Sequence, residues 1–348
     1  MKIHLKKAVS AVSLLAAGSV ILTSCSRNDL HNVYETVSAT VADTVSEIEV
    51  KGSQLLDAVS FAAGLESLSF DELICRYYSM LSPNLQTVYQ QLYQAVTRYQ
   101  TEITPGASLS VSEAEAVVLA LVNDHPELFW LGSKYSVSYL KNGKALSIQV
   151  SFCLPVEEID AAKIRFDTVA EEILGIAGQL PTFYEREKYV HDYILNHAEY
   201  DASDVEAAQS AYSALVMQRT VCAGYSRAFQ YLMNRLNVPT YYCTGYSSGD
   251  HAWNIVRLDD GFYNVDLTWD ARKPVSYAYF NRSDAEFSST HSRTGYSVYL
   301  PACASIGYRG PTEYSNELPA FAQVIVPESN SGSDISDYGT EPPSLYLP

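Results

Sequence analysis

From Phe70 onward the apolar and polar positions alternate with a helical period first and a strand period afterwards. Ser82-Pro83 offers an N-cap followed by proline at the first helical position, and Leu85, Val88, Leu92, Val96 and Tyr99 then fall on one face. Ser112 with Glu115 predicts a capping box for a second helix, which ends before Asn123-Asp124-His125-Pro126. KYSVSYL and KALSIQVSF flank Asn142-Gly143, the dipeptide of a tight hairpin. Two helices are predicted over 160–197, the second (YEREKYVHDYILNH) carrying His191 and His197 in structural rather than catalytic settings. A helix over 206–217 follows, and then TVCAGYSRAFQYLMNRL, in which Tyr225, Phe229, Leu232 and Leu236 share a face. After Val238-Pro239 the period becomes two: TYYCTGY, HAWNIVRL, GFYNVDLTW and SYAYFN predict an antiparallel sheet. Helices first and strands after indicate an α+β fold, with 71–158 a small α+β accessory domain ahead of a larger unit.

The two ends read differently. MKIHLKK and the apolar run AVSAVSLLAAGSVIL form a basic n-region and an h-region too short to span a bilayer, closing on Leu22-Thr23-Ser24-Cys25. That pattern resembles a bacterial lipobox, which predicts a signal peptide over 1–24 and lipidation at Cys25. The chain is therefore expected to be exported and anchored to the cell envelope, outside the cytoplasm. Residues 25–70 read as a tether with a possible helix, since Val33, Val37, Val41, Val45 and Ile48 recur at near-helical spacing. From Pro311 the tail lacks lysine and arginine and is expected to be largely disordered, with FAQVIV at 321–326 a candidate edge strand. A net charge of −17 argues against a nucleic-acid partner. The five cysteines after Cys25 form no C-x-x-C pair, so no metal site or cofactor is predicted, and their odd number leaves at least one thiol free in an oxidising compartment, without identifying which.

Cys222 is the candidate for a reactive thiol, with an ordinary buried cysteine the alternative until His251 is considered. It stands at or just before the first turn of an amphipathic helix, where unsatisfied amides and the helix dipole favour a thiolate. Gly224 would allow a tight turn there, presenting backbone N–H groups to a substrate oxygen. On HAWNIVRL, His251, Trp253 and Ile255 share one face, and the next strand carries Asp266. If the turn at Leu258-Asp259-Asp260-Gly261 has an even number of residues, His251 and Asp266 meet on one face; an unbulged three-residue loop would separate them. The expected constellation is a Cys-His-Asp triad for acyl transfer, with Cys222 as nucleophile, His251 as base and then acid, and Asp266 orienting the imidazole.

These blocks resemble a known family. TVCAGYSRAF, GDHAWNIVRLDDGFYNVDLTWD and SYAYFNRSD are similar to the core of the transglutaminase-like superfamily of papain-type fold, in its bacterial extracytoplasmic branch. The likeness runs over about 160–310, with HDYILNHAEYD and SAYSALVMQRTVC extending it upstream, and 71–158, including NDHPELFWL, resembles the accessory region that often precedes this core. It implies helices packed on an antiparallel sheet in a catalytic domain over 159–310, and the same roles for Cys222, His251 and Asp266. The reaction stays open among peptide or amide hydrolysis, glutamine-to-amine cross-linking, and a catalytically silent binding module. In each case the expected partner is a protein or peptide. Calcium dependence is not expected, because no Asp-rich loop of recognisable spacing is present. Tyr212, Trp253 and Trp269 are candidates for the substrate groove, Tyr212 also for the oxyanion hole, with core packing the alternative for both tryptophans.

Overall fold

A computed structural model of the chain describes residues 68–258, 261–271, 274–304 and 306–308. The signal peptide expected over 1–24, Cys25, the tether up to residue 67, the FAQVIV segment and the tail lie outside the described residues. The first helices are α1 (Arg76–Met80), α2 (Pro83–Thr97) and α3 (Val111–Asp124). As the spacing predicts, Ser82 stands at the N-cap of α2, though without a side-chain capping bond, and the helix buries Val88, Leu92 and Val96, while Tyr99 lies past the helix end with a positive φ. The capping box of α3 is Ser110 with Glu113, two residues earlier than expected. The S-x-x-E spacing occurs twice in succession here, and the first occurrence follows buried Leu109. The helix also runs on to Asp124, whose buried carboxylate accepts from the Tyr77 and Tyr78 amides and the Tyr89 hydroxyl.

Strands β1 (Glu102–Ile103), β2 (Leu131–Tyr139) and β3 (Ala145–Phe152) form an antiparallel sheet in the order β1-β3-β2. Its hairpin turns at Gly143, whose φ of 80° needs a residue without Cβ. Then come α4 (Val156–Ala177), α5 (Phe183–His197) and a parallel pair, β4 (Glu199–Tyr200) with β5 (Arg219–Thr220). The helix expected over 206–217 is two short pieces, a 3-10 turn at Ala207–Gln209 and α6 (Ala211–Leu215). Ser210 breaks it: its backbone is extended and its hydroxyl caps α6 by accepting from Ser213 N.

Helix α7 (Cys222–Arg235) packs on a four-stranded antiparallel sheet of order β8-β7-β6-β9, made of β6 (Thr240–Tyr246), β7 (Asp250–Leu258), β8 (Gly261–Val265) and β9 (Ser292–Arg293). Tyr225, Phe229, Leu232 and Leu236 are all buried, as the helical stripe requires. Each such side chain contributes about 1.5–3 kcal/mol over leaving it in water. One predicted strand is shorter than expected and another does not form. GFYNVDLTW leaves the sheet after Val265, because the Asp266 carboxylate accepts from Trp269 N and caps a helical turn, α8 (Leu267–Asp270). SYAYFN forms turns pinned by buried Asp270, which accepts from Ser276 Oγ and Tyr279 N. Helix α9 (Asp284–Phe287) then leads to β9.

One continuous apolar core runs from Cys75 to Cys303, including Val88 and Leu121 as well as Phe229 and Trp253. Polar ties cross the same span: Tyr77 Oη donates to Tyr242 O, and Gln230 Nε2 to Asn123 O. Among the described residues no helix is long and apolar enough to cross a membrane.

Candidate active site

Cys222 is the first residue of α7, half-buried against an apolar cluster of Ala208, Val221, Ala223, Tyr242 and Ala252. The first N–H groups of a helix have no carbonyl one turn back, and here Gly224 N and Tyr225 N already donate to Val221 O. That leaves the Cys222 and Ala223 amides as the ones pointing out of the helix end. Gly224 serves differently from the expectation. It lies inside the helix without a positive φ, and a Cβ on it would stand 1.9 Å from Thr220 Oγ1. Its role is close approach of the helix that carries Cys222 to the strand and turn beneath, not a tight turn.

The β7–β8 register settles the parity argument. Leu258 pairs with Gly261 and Asn254 with Val265, a two-residue connection. His251 and Asp266 therefore point to one side, offset along the strands, and His251 Nε2 donates to Asp266 Oδ2 at 2.7 Å. Both side chains are buried. With Nε2 engaged, Nδ1 is the nitrogen left to face Cys222, whose side chain interacts with this imidazole. Burial alone would lower the His251 pKa, but the bonds to Asp266 and Cys222 and their charges outweigh it and raise the value to about 10. Burial likewise opposes ionisation of Asp266, and the two histidines bonded to it nevertheless hold its carboxyl below the ordinary value.

The second of those histidines is His291, which the sequence pattern missed. Its Nε2 donates to the same Asp266 Oδ2 at 3.0 Å, and Thr290 Oγ1 lies 2.8 Å from its Nδ1, which fixes the tautomer if the hydroxyl donates. The ring sits against Phe287, Trp253 and Trp269, with centroids 4.3, 5.2 and 5.3 Å away. Nothing local marks His291: it precedes a two-residue strand and reaches the site only because β9 pairs with the edge of β6. His251, Asp266 and His291 also make a donor set of the kind zinc accepts, but each histidine Nε2 already bonds Asp266 Oδ2, which accounts for the cluster. Removing the His291 donor should raise the Asp266 pKa. We therefore expect His291→Phe to lower kcat about 10-fold and move the acid limb of the pH profile upward, with His291→Gln closer to wild type. An unmoved acid limb would assign His291 to packing alone.

The groove candidates separate. Trp253 is fully buried, donates from Nε1 to Asn264 Oδ1, and backs the His251 ring at 6.2 Å between centroids. Trp269 is half-buried and packs on Tyr279 and His291. Tyr212 faces elsewhere: its hydroxyl accepts from Arg165 Nε at 2.9 Å and its ring stacks on Phe129. Tyr200 was not anticipated. It is 56% exposed, and its phenol is raised by burial and then by the nearby Cys222. The five cysteines from Cys75 onward are all free, and buried Cys243 is a core residue.

Comparison with known proteins agrees with this core. Residues 168–267 match the family described as the transglutaminase-like superfamily. Human kyphoscoliosis peptidase is 31% identical over 125 residues, covering 31% of this chain and 18% of that protein. Its mouse counterpart is 33% identical over 105 residues, covering 24% and 15%. The chain thus spans less than a fifth of the length of the curated relatives it matches. A solved structure described as a TGase aligns over 46% of this chain and 48% of its own, at 15% identity and a TM-score of 0.30. The matched segment contains Cys222, His251 and Asp266 and ends on the first residue of α8, so over these residues this α+β chain is similar to the transglutaminase-like superfamily.

Proposed function

We propose that the chain is a thiol-dependent acyl-transfer enzyme that hydrolyses amide bonds of proteins or peptides. The observation that carries this reading is one imidazole engaged from two sides, by the Asp266 carboxylate and the Cys222 thiol. His251, whose raised pKa keeps the ring protonated at neutral pH, holds the proton given up by Cys222, and in the first step the sulfur attacks the amide carbonyl carbon. The Cys222 amide at the helix end is placed to donate to the developing oxyanion. Collapse of the tetrahedral adduct breaks the C–N bond, and His251 gives its proton to the departing amine. Water, deprotonated by His251, then attacks the thioester, releasing the carboxylic acid and restoring the thiol. Asp266 keeps the imidazole in the orientation both steps need. Water is always available as acceptor, whereas cross-linking requires a site that excludes it in favour of an amine.

The same proposal anchors the enzyme to the cell envelope through Cys25, with its substrates outside the cytoplasm. An iodoacetamide-alkyne probe applied to cells tests both parts. Cys222 is expected to be labelled in the envelope fraction, roughly 100-fold more slowly in His251→Ala, and the labelled protein is expected to become soluble in Cys25→Ala. A Cys222 no more reactive than the exposed Cys153 would leave a binding scaffold. Incorporation of a labelled primary amine into a glutamine-bearing protein, faster than hydrolysis, would replace peptidase by cross-linking enzyme.

A further inference from the structure

A cavity of about 440 Å³ opens beside the candidate active site without including it: Cys222, His251 and Asp266 are absent from its lining. It lies where α3, β2, α7 and β6 meet the two 3-10 turns, the second of which is Gly295–Tyr299. Its volume is in the range of small-molecule sites. Its lining includes the rings of Phe129, Tyr135, Tyr242, Tyr296 and Tyr299.

The charges in this lining are unequally satisfied. Lys134 is paired with Glu206 at 3.0 Å. Arg227 has no carboxylate among the described residues: its Nη1 donates to Val122 O at 2.5 Å, and its guanidinium carbon lies 4.3 Å from the centre of the Tyr242 ring. A half-buried guanidinium carries five donors, and the Val122 carbonyl with the Tyr242 ring and phenol leave part of that capacity for a ligand in the cavity that Arg227 lines. Such a cation is costly to desolvate without an anion, and a cation–π contact offsets only part of that cost. The other carboxylate in the lining, Glu115, acts on Tyr135 and Tyr296, whose phenols are raised by burial first and by Glu115 next. The cavity thus has a cationic end at Arg227 and an aromatic, acidic side at Glu115.

We propose that this cavity is a binding site for a small monocarboxylate with an aromatic body, the carboxylate bidentate on Arg227 and the body between Tyr242, Tyr135 and Tyr296. One guanidinium matches one carboxylate fork. A dianion such as a phosphate monoester would bring a second charge into a space that already holds Glu115 and Glu206. The site is distinct from the acyl-transfer centre, though close to it. Tyr242 belongs to the cluster against which Cys222 packs, and its ring carries Arg227.

Calorimetric titration of the full chain with N-acetylphenylalanine and its uncharged amide tests this. The acid is expected to bind at least about 10-fold more tightly than the amide. Arg227→Gln should abolish that preference, Arg227→Lys should retain part of it, and Ser133→Trp, which fills the cavity from β2, should abolish binding of both. The same titration in Cys222→Ser should be unchanged, so the result does not depend on acyl transfer. Equal affinity for acid and amide, no binding of either, or wild-type binding by Ser133→Trp would each overturn the proposal. Should Arg227→Gln fail to fold, the Ser133→Trp and Arg227→Lys arms still decide it.

Discussion

Asparagine at position 266 is expected to cost about 10³–10⁴-fold in turnover, the scale seen when a triad carboxylate loses its charge. Local hydrogen bonding explains why so small a change should matter. Asp266 Oδ1 accepts from Trp269 N, and Oδ2 accepts from both His251 Nε2 and His291 Nε2. A carboxylate is all acceptor and satisfies the three donors together; an amide has one oxygen. If asparagine keeps the cap on α8, its NH2 group faces two imidazole N–H groups, and His251 must change tautomer or swing away from Cys222. If it turns its oxygen to the histidines, its NH2 group meets Trp269 N–H instead. Asparagine is itself a good N-cap, so α8 should survive and the lost turnover should not reflect unfolding.

The same substitution has a signature in pH. His251 has a folded pKa of about 10, above its unfolded value near 6.5, so the native state binds more protons than the unfolded state between those limits. Its stabilisation is complete below about pH 6.5 and is lost as pH rises to about 10. Without the Asp266 charge the imidazole should lose its proton much earlier. An NMR titration of the His251 ring should show a midpoint near 10 in the wild type, falling by several units in Asp266→Asn. The alkaline limb of peptide hydrolysis should move with it, since the departing amine takes its proton from this ring. Urea denaturation should show a flatter decline of stability across the same window. An unchanged midpoint would mean that the hydrogen bonds to Asp266 do not set the state of His251.

How legible this site was in the sequence depended on whether each residue's position followed from a local period. Cys222 was readable because the buried face of its helix fixes where the first turn falls. The His251–Asp266 pairing was readable because alternation and turn parity reduce it to arithmetic, and β7 and β8 are joined by a two-residue turn. Asp266 itself was half-read. It lies where a strand pattern continues into LTW, but a carboxylate that caps a helix overrides that pattern locally, and the chain turns out of the sheet. His291 and Tyr200 could not be read, because each sits on or beside a strand of two residues, too short to carry a period. Long-range pairing alone brings them to the site. Three acidic or polar caps account for the other differences: Ser110 displaced the expected box at Ser112, Ser210 broke a helix in two, and Asp270 held SYAYFN in turns.

Gly224 turns this distinction into the second large expectation. Its alanine variant should lose about 3 kcal/mol or more, which is roughly 10 °C in Tm for a compact unit of this size. The added Cβ would stand 1.9 Å from Thr220 Oγ1, 2.7 Å from Ser213 Oγ and 2.8 Å from Ala208 O. None of these atoms belongs to a flexible tip. Thr220 Oγ1 donates to Ala208 O at 2.9 Å and shares a hydrogen bond of 2.8 Å with Ser213 Oγ, and all three residues are buried. Relief must therefore come from movement of α7 itself, and the residue it carries at that end is Cys222. The expected result is a fall in Cys222 labelling as well as in Tm, measured under conditions where the variant remains folded. Gly175→Ala is the control, since nothing lies within 4 Å of a Cβ there and the helix should gain about 0.5–1 kcal/mol. Adding Thr220→Ala to Gly224→Ala should recover part of the loss, because it removes the nearest clashing atom. If Gly224→Ala melts and labels like the wild type, the nucleophile's helix is not held against this turn, and the placement of Cys222 beside His251 has to rest on other contacts.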